Sequence, residues 1–266
     1  MDPRSIVLKQ KIFIKNLKFF KRAPTSCNMN RTPIWLQKLR CTLLPSSISM
    51  NTENLSLYEN TYSLWKKIFT EVLLKVDQKL DINNLLRQDF LLVLHVDDQV
   101  IGMIASQVMN TATKLCWEHP YFSVFPEAKL KEISASGPTR FGTYEYLMSN
   151  PSVRKAFDGF STMELLIGLL LEAHKSLGVE YAFGTSIVSS RSHNASEKLG
   201  FKHVGRVEKY NLDCVLSICD TANSNPHPLP AARNLIDKLW SEVDVQASSV
   251  LETLVTHQSR STKRAA

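Results

Sequence analysis

Between Ser161 and Val204 the chain leaves few folding options. From Met163 to Leu177 nearly every residue is apolar, and Glu164, Gly168, Glu172 and the pair Lys175–Ser176 interrupt at helical spacing. A helix made from this run is buried almost all round and keeps one narrow polar stripe. Ser161 or Thr162 stands where it can cap the start, and Gly178 stands where the helix must stop. Val179 to Thr185 follows as a short buried strand, rich in β-branched and aromatic residues. A Ser-rich loop, a short helix around Ala195 to Lys198 and the turn Leu199-Gly200-Phe201 then lead into another strand. This order is an α/β crossover and excludes a helical bundle or a sandwich.

With 44% hydrophobic and 21% charged residues, the chain has enough apolar material for a sizeable core. No apolar run is long enough to cross a bilayer: Leu165 to Leu171 is broken by Gly168 and ends at Glu172. Residues 1–49 hold six Lys and four Arg against a single Asp, so the formal net charge of +7 belongs wholly to that segment. The rest of the chain is close to neutral, which argues against nucleic-acid binding. The five cysteines are scattered without metal-ligand spacing, as expected of reduced thiols in a cytoplasmic protein that binds no metal.

Residues 1–49 read as a basic leader without fixed structure. Targeting, or membrane contact through residues 1–22, is the less favoured reading. Leu57 to Val76 places Tyr58, Tyr62, Trp65, Phe69, Val72 and Val76 on one helical face. Phe90 to Val96 and Val100 to Val108 flank Asp97-Asp98-Gln99 as a hairpin. The aromatic-rich loop from Thr111 to Ala128 either lines a pocket or packs on the core. Phe201 to Val207 and Tyr210 to Cys219 alternate as the last strands; Asn223 to Pro230 is a linker, and Arg233 to Val243 a final helix.

The order of long helix, strand and short helix ending in Glu197-Lys198-Leu199-Gly200-Phe201 resembles the close of the GNAT superfamily of N-acyltransferases. The resemblance implies an α/β (α+β) fold, the acyl-CoA N-acyltransferase fold, with a mixed sheet of about six to seven strands flanked by helices. It implies a GNAT-like domain over residues 50–220, followed by a linker, C-terminal helix and tail over 221–266. In the family the long helix begins at a Gly-x-Gly loop that holds the donor pyrophosphate. Here Ser161-Thr162-Met163 stands at that position, without glycine. Ser196 stands where the family carries a tyrosine acid. Lys129 to Ser134 falls in the order of the family's fourth strand, which parts from the fifth (Val179 to Thr185) to admit the donor. Glu132-Ile133-Ser134, with Arg140-Phe141 downstream, also resembles a string in acyl-homoserine-lactone and N-acyl-amino-acid synthases, which lack the glycine loop as well.

The roles implied follow from acyl transfer to an amine. The amine must lose a proton, the thioester oxygen needs hydrogen-bond donors, and the leaving thiolate needs a proton. Glu132 is the expected base. Amides of Ile133, Ser134 and Ala135 would serve the thioester oxygen. Amides of Ser161, Thr162 and Met163 would face the donor phosphates, with Arg140, Arg154 and Lys155 adding charge. His193 and Ser196 would carry the proton to the thiolate. The donor would be acetyl-CoA, a longer acyl-CoA or an acyl carrier protein, and the acceptor a small-molecule or protein amine. The alternative is a non-catalytic acyl-CoA or phosphopantetheine-binding module of the same fold.

Overall fold

The hairpin across Asp97-Asp98 forms the middle of the molecule, with β-branched and aliphatic residues pairing on both sides of the turn. The computed structural model describes residues 34–47, 54–135, 137, 139–153 and 157–246. The chain opens with α1 (Ile34–Gln37), β1 (Leu39–Pro45), α2 (Leu55–Leu74) and α3 (Asn83–Leu86). The hairpin strands β2 (Phe90–Val96) and β3 (Gln99–Ser106) follow, then β4 (Val108–Asn110), α4 (Lys114–Trp117), α5 (Glu127–Ser134) and β5 (Arg140–Ser149). The crossover is α6 (Thr162–Ser176), β6 (Tyr181–Ile187) and α7 (Ser192–Glu197). The chain closes with β7 (Lys202–Lys209), β8 (Leu212–Asp220), α8 (Pro230–Ser241) and β9 (Asp244–Val245).

The mixed sheet expected from the resemblance is present and larger than expected, with nine strands among the described residues. Their order is β7-β8-β6-β5-β3-β2-β1-β9, with β4 also on β5. The pairs β5/β6 and β1/β9 are parallel and the remaining pairs antiparallel. On one face α2 lays Leu57, Tyr58 and Trp65 against Leu91, Val93 and Met103. On the other face α6 buries Leu165, Leu166, Leu169 and Leu170 against Leu92, Leu94 and Ile104. Each such leucine contributes about 1.5–3 kcal/mol by leaving water. Ser161 caps α6 as expected, its Oγ accepting from the Glu164 amide at 3.2 Å. Gly178, at φ 66°, ends the run in the left-handed region.

Three expectations need correction. Residues 128–134 are not a strand but most of α5. The sequence EAKLKEIS is rich in helix formers, and Lys131–Glu127 (2.6 Å) and Lys129–Glu132 (2.5 Å) pair across its turns. Its one buried apolar residue, Ile133, anchors it to a cluster of aromatic rings. The fourth core strand is instead β5, which begins six residues after α5 ends. Second, Leu39–Pro45, inside the segment read as a leader, is a strand next to the sheet edge, paired in full with β2. The membrane-contact expectation for residues 1–22 lies outside the described residues. Third, residues 230–245, read as following the domain, pack on its sheet and long helix. Helix α8 seats Ile236 against Gly168 of α6, where an added Cβ would lie 2.4 Å from Ile236 Cδ1, and β9 pairs with β1. Among the described residues no helix is long and apolar enough to cross a membrane.

Candidate active site

The site begins where two parallel strands stop pairing. Strands β5 and β6 are in register from Phe141↔Tyr181 to Tyr144↔Gly184 and no further. Beyond that point β6 keeps only its other neighbour, with Thr185, Ser186 and Ile187 opposite Leu216, Val215 and Cys214. Strand β5 keeps β3, through Ala105↔Glu145 and Met103↔Met148, with one extra residue between these pairs. That bulge is at Tyr146, whose φ of 52° turns the strand. Two strands do part, but they are β5 and β6; the expected pair, Lys129 to Ser134 with Val179 to Thr185, does not exist, because its first member is helix α5.

Two cavities meet at the parting. One of about 150 Å³ runs between the C-terminal half of β5, the end of β6, Phe69 of α2 and Met163 in the first turn of α6. The other, of about 100 Å³, is bounded by Glu145, Tyr121, Lys209, Tyr210 and apolar residues of α2. Phe69, Val72, Tyr146, Thr185 and Ile187 line both, so they form the wall between them.

Tyr144 and Ser186 line the larger cavity. The Tyr144 ring lies flat across Gly184, where a Cβ would sit 1.7 Å from Cε1, so only glycine permits this placement. Phe201 meets the ring edge-on at 5.1 Å. The Tyr144 hydroxyl is hydrogen-bonded to the Ser186 hydroxyl, and Ser196 and Ser217 approach it as well. Burial pushes the phenol above its ordinary range, so it stays protonated. In the smaller cavity, Glu145 accepts a hydrogen bond from Gln88 Nε2 at 3.2 Å and lies 3.9 Å from Arg87. Lys209 sits over the rings of Tyr121 and Tyr210 at 5.4 and 5.5 Å.

The residues singled out by sequence separate into three groups. Ser161, Thr162 and Met163 do form the start of α6; Met163 lines the larger cavity, and Thr162 is buried with its hydroxyl unpaired among the described residues. Glu164, one residue further, turns away to pair with Lys198 at 2.9 Å and His227 at 2.8 Å. Burial raises the Glu164 carboxyl, but those hydrogen bonds outweigh it and hold the group below its usual range. Ser196 is fully buried near Tyr144 and donates to the His193 carbonyl at 2.9 Å. His193 packs on His203 at 5.7 Å; partial burial and the neighbouring His203 and Arg206 push its imidazole down. Neither Ser196 nor His193 is among the residues lining the two cavities.

Glu132, Ile133, Ser134 and Ala135 belong to α5 and its end, outside both cavities. Glu132 is two-thirds exposed and paired with Lys129; Ala135 donates its amide to the Lys131 carbonyl. Arg140 is at the opposite end of α6, donating to the Leu177 carbonyl at 2.7 Å, where a cation complements the helix terminus. Arg154 and Lys155 lie outside the described residues. Sequence reasoning missed Tyr144, Glu145, Ser186 and Lys209. The signal for the first two was present in Arg140–Ser149, a run with three aromatic residues that ends at the Asn150-Pro151 turn.

No family model matches the chain, and no curated protein matches it. Among solved structures, BjaI, a CoA-dependent acyl-homoserine lactone synthase, superposes with a TM-score of 0.50 at 11% identity. The match covers 82% of this chain and 99% of BjaI, in its structure with MTA and equally in that with SAM and isopentyl-CoA. FeeM, an N-acyl amino acid synthase from uncultured soil microbes, gives 0.49 at 12% identity over 73% of this chain and 97% of its own. At such identity the likeness is one of fold: the chain has the GNAT-like acyltransferase fold.

Proposed function

We propose that a chain with this fold and this parting of strands is an N-acyltransferase, moving an acyl group from an acyl thioester to an amine. The carrying observation is the pair of cavities meeting where β5 leaves β6, with hydroxyls on one side and a carboxylate on the other. The thioester arm would enter the larger cavity toward the first turn of α6. There the amides of Thr162 and Met163 have no partner within the helix and can face donor phosphates. Without glycine at Ser161-Thr162-Met163 the approach is less close, which suits a donor held chiefly by its pantetheine arm, on CoA or on a carrier protein.

In this reading Glu145 replaces Glu132 as the base. The acceptor arrives in the smaller cavity as an ammonium and gives a proton to Glu145. Its nitrogen attacks the thioester carbonyl, an amide bond forms and the carbon–sulfur bond breaks. The thiolate takes a proton from the Tyr144 hydroxyl, which recovers through Ser186 the second proton that the nitrogen sheds as the amide forms, and the proton on Glu145 passes to solvent. Tyr144 thus supplies from β5 the phenol that Ser196 does not. General acid–base help of this kind is worth about 10²–10⁴-fold.

The test is thiol release from acetyl-CoA and longer acyl-CoAs against a panel of amines, with the product amide identified by mass. Amine-dependent thiol release is the expected result. Donor binding by calorimetry with no thiol release from CoA or carrier-protein thioesters would overturn transfer in favour of a binding module.

A further inference from the structure

The start of α6 carries a capping arrangement that the fold leaves half made. Ser161 at the N-cap and Glu164 three residues on form the pattern S-x-x-E. In that pattern the serine hydroxyl accepts from the glutamate amide, and the glutamate carboxylate reaches back to the serine amide. The first half is present, at 3.2 Å. The second half is replaced, because both carboxylate oxygens are taken elsewhere. Lys198, just past α7, donates to Oε1 at 2.9 Å, and His227, in the segment between β8 and α8, pairs through Nε2 with Oε2 at 2.8 Å. The Leu229 amide donates to His227 Nδ1 at 3.1 Å, which leaves the ring proton on Nε2 to be given to Glu164. Arg233 donates to the His227 carbonyl at 3.1 and 3.3 Å, and Phe160 meets the ring edge-on at 6.0 Å. The Glu164 carboxyl, held below its usual range, is charged at neutral pH. Thr162, buried in the same turn, keeps its hydroxyl without a partner among the described residues.

We infer that His227 and Lys198 hold a built-in competitor away from the acyl donor. Released, the Glu164 carboxylate would close on the start of α6, where a negative charge is favoured, and repel the donor phosphates from the same amides. His227 is thus a positioning residue for the donor: it acts through Glu164 and is not among the residues lining the two cavities. The inference rests on the transfer reading, in which those amides face the phosphates, and adds how a helix start without glycine is kept open.

The experiment measures KM for acetyl-CoA and for the amine in the thiol-release assay, and acetyl-CoA affinity by calorimetry. It compares the intact chain with His227→Asn, Glu164→Asp, and the double variant of His227→Asn with Glu164→Gln. Asparagine still accepts from Leu229 but falls short of Glu164; aspartate keeps the charge but falls short of His227 and Lys198. Each single variant should weaken acetyl-CoA by about twofold to thirtyfold, the range for a charge at a helix start, and leave KM for the amine unchanged. The double variant should return to the affinity of the intact chain while its melting temperature stays low, because the competitor has lost its charge. A double variant as weak as His227→Asn, or single variants that lose acetyl-CoA and amine alike, would overturn the inference with transfer itself intact; His227 would then only brace the fold. Glu164→Asp leaves the Leu229 and Arg233 bonds of His227 in place, so it decides the matter if His227→Asn does not fold. No thiol release with any amine would overturn the transfer reading instead. Calorimetry then decides the competitor: acetyl-CoA binding weakened in the single variants and restored in the double upholds it, and equal or absent binding sinks it.

Discussion

The two ends of the β5/β6 pair are made from the same two strands and behave in opposite ways. At the near end Phe141 and Phe183 pack at 4.6 Å, Phe122 meets both, and Trp117 and Tyr181 close the edges. Four backbone pairs zip this end shut. At the far end the side chains are Tyr144, Glu145, Thr185 and Ser186, the bulge at Tyr146 bends β5 away, and cavities fill the gap. Rings that interlock hold the backbones in register, whereas polar groups and a residue with positive φ let them diverge. The closed end is therefore built for stability, and the open end leaves the room that the proposed transfer needs.

That division is open to direct attack. Glu145→Gln should lower kcat by about 10²–10⁴-fold and shift the melting temperature little, because it removes a proton acceptor from the open end. Equal loss of stability would show that the open end is also structural. Phe183→Ala, at the closed end, should cost about 3–5 kcal/mol in denaturant unfolding through the cavity it leaves. A cost under about 1 kcal/mol would mean the rings do not hold the strands.

His174 tests the closed end by pH. Its imidazole covers Gly142, where a Cβ would fall 2.6 Å from the ring, and its Nε2 pairs with Ser106 Oγ at 2.8 Å. Burial pushes its pKa from 6.5 down to about 3. The unfolded chain therefore takes the proton first: this contribution is complete above pH 6.5 and is lost as pH falls through that window. The loss should approach about 1.4 kcal/mol per pH unit. Unfolding measured between pH 6.5 and 5, where Glu164 (ordinary value 4.5) stays charged, should show the slope, and His174→Asn should flatten it. The smallest effect is expected at Glu132→Gln. An exposed ion pair is worth about 0–1 kcal/mol, and turnover should stay within about twofold of the unchanged chain. A large drop in kcat there would return the base to α5 and move the site.

Sequence patterning made the crossover legible because α6 and β6 are apolar runs with marked ends, and burial enforces such runs strictly. The hairpin and the amphipathic α2 were legible for the same reason. The misread segment was Ala128 to Ser149. Its first part alternates weakly, so it passes for a strand, yet intrahelical pairs and one apolar anchor decide for a helix. The true strand, β5, is interrupted by a residue with positive φ, and nothing in a Tyr-Glu-Tyr string announces a bulge. A slip of about one element put the expected carboxylate at Glu132 on α5, whereas the cavity at the parting is lined by Glu145. Lys209 could not be found from sequence at all, since its cavity is assembled from α2, β5, β6 and β7 and no local spacing joins them.

Helix α8 and strand β9 follow every cavity-lining residue in the chain and pack back onto α6 and β1. Until residues 230–245 have emerged during synthesis, the Gly168 side of α6 lacks its cover and β1 lacks its outer neighbour. A nascent chain halted before residue 230 would thus carry both cavities' walls in full and still expose a greasy helix flank. Such an intermediate presents an apolar flank open to association with other chains until α8 closes over it.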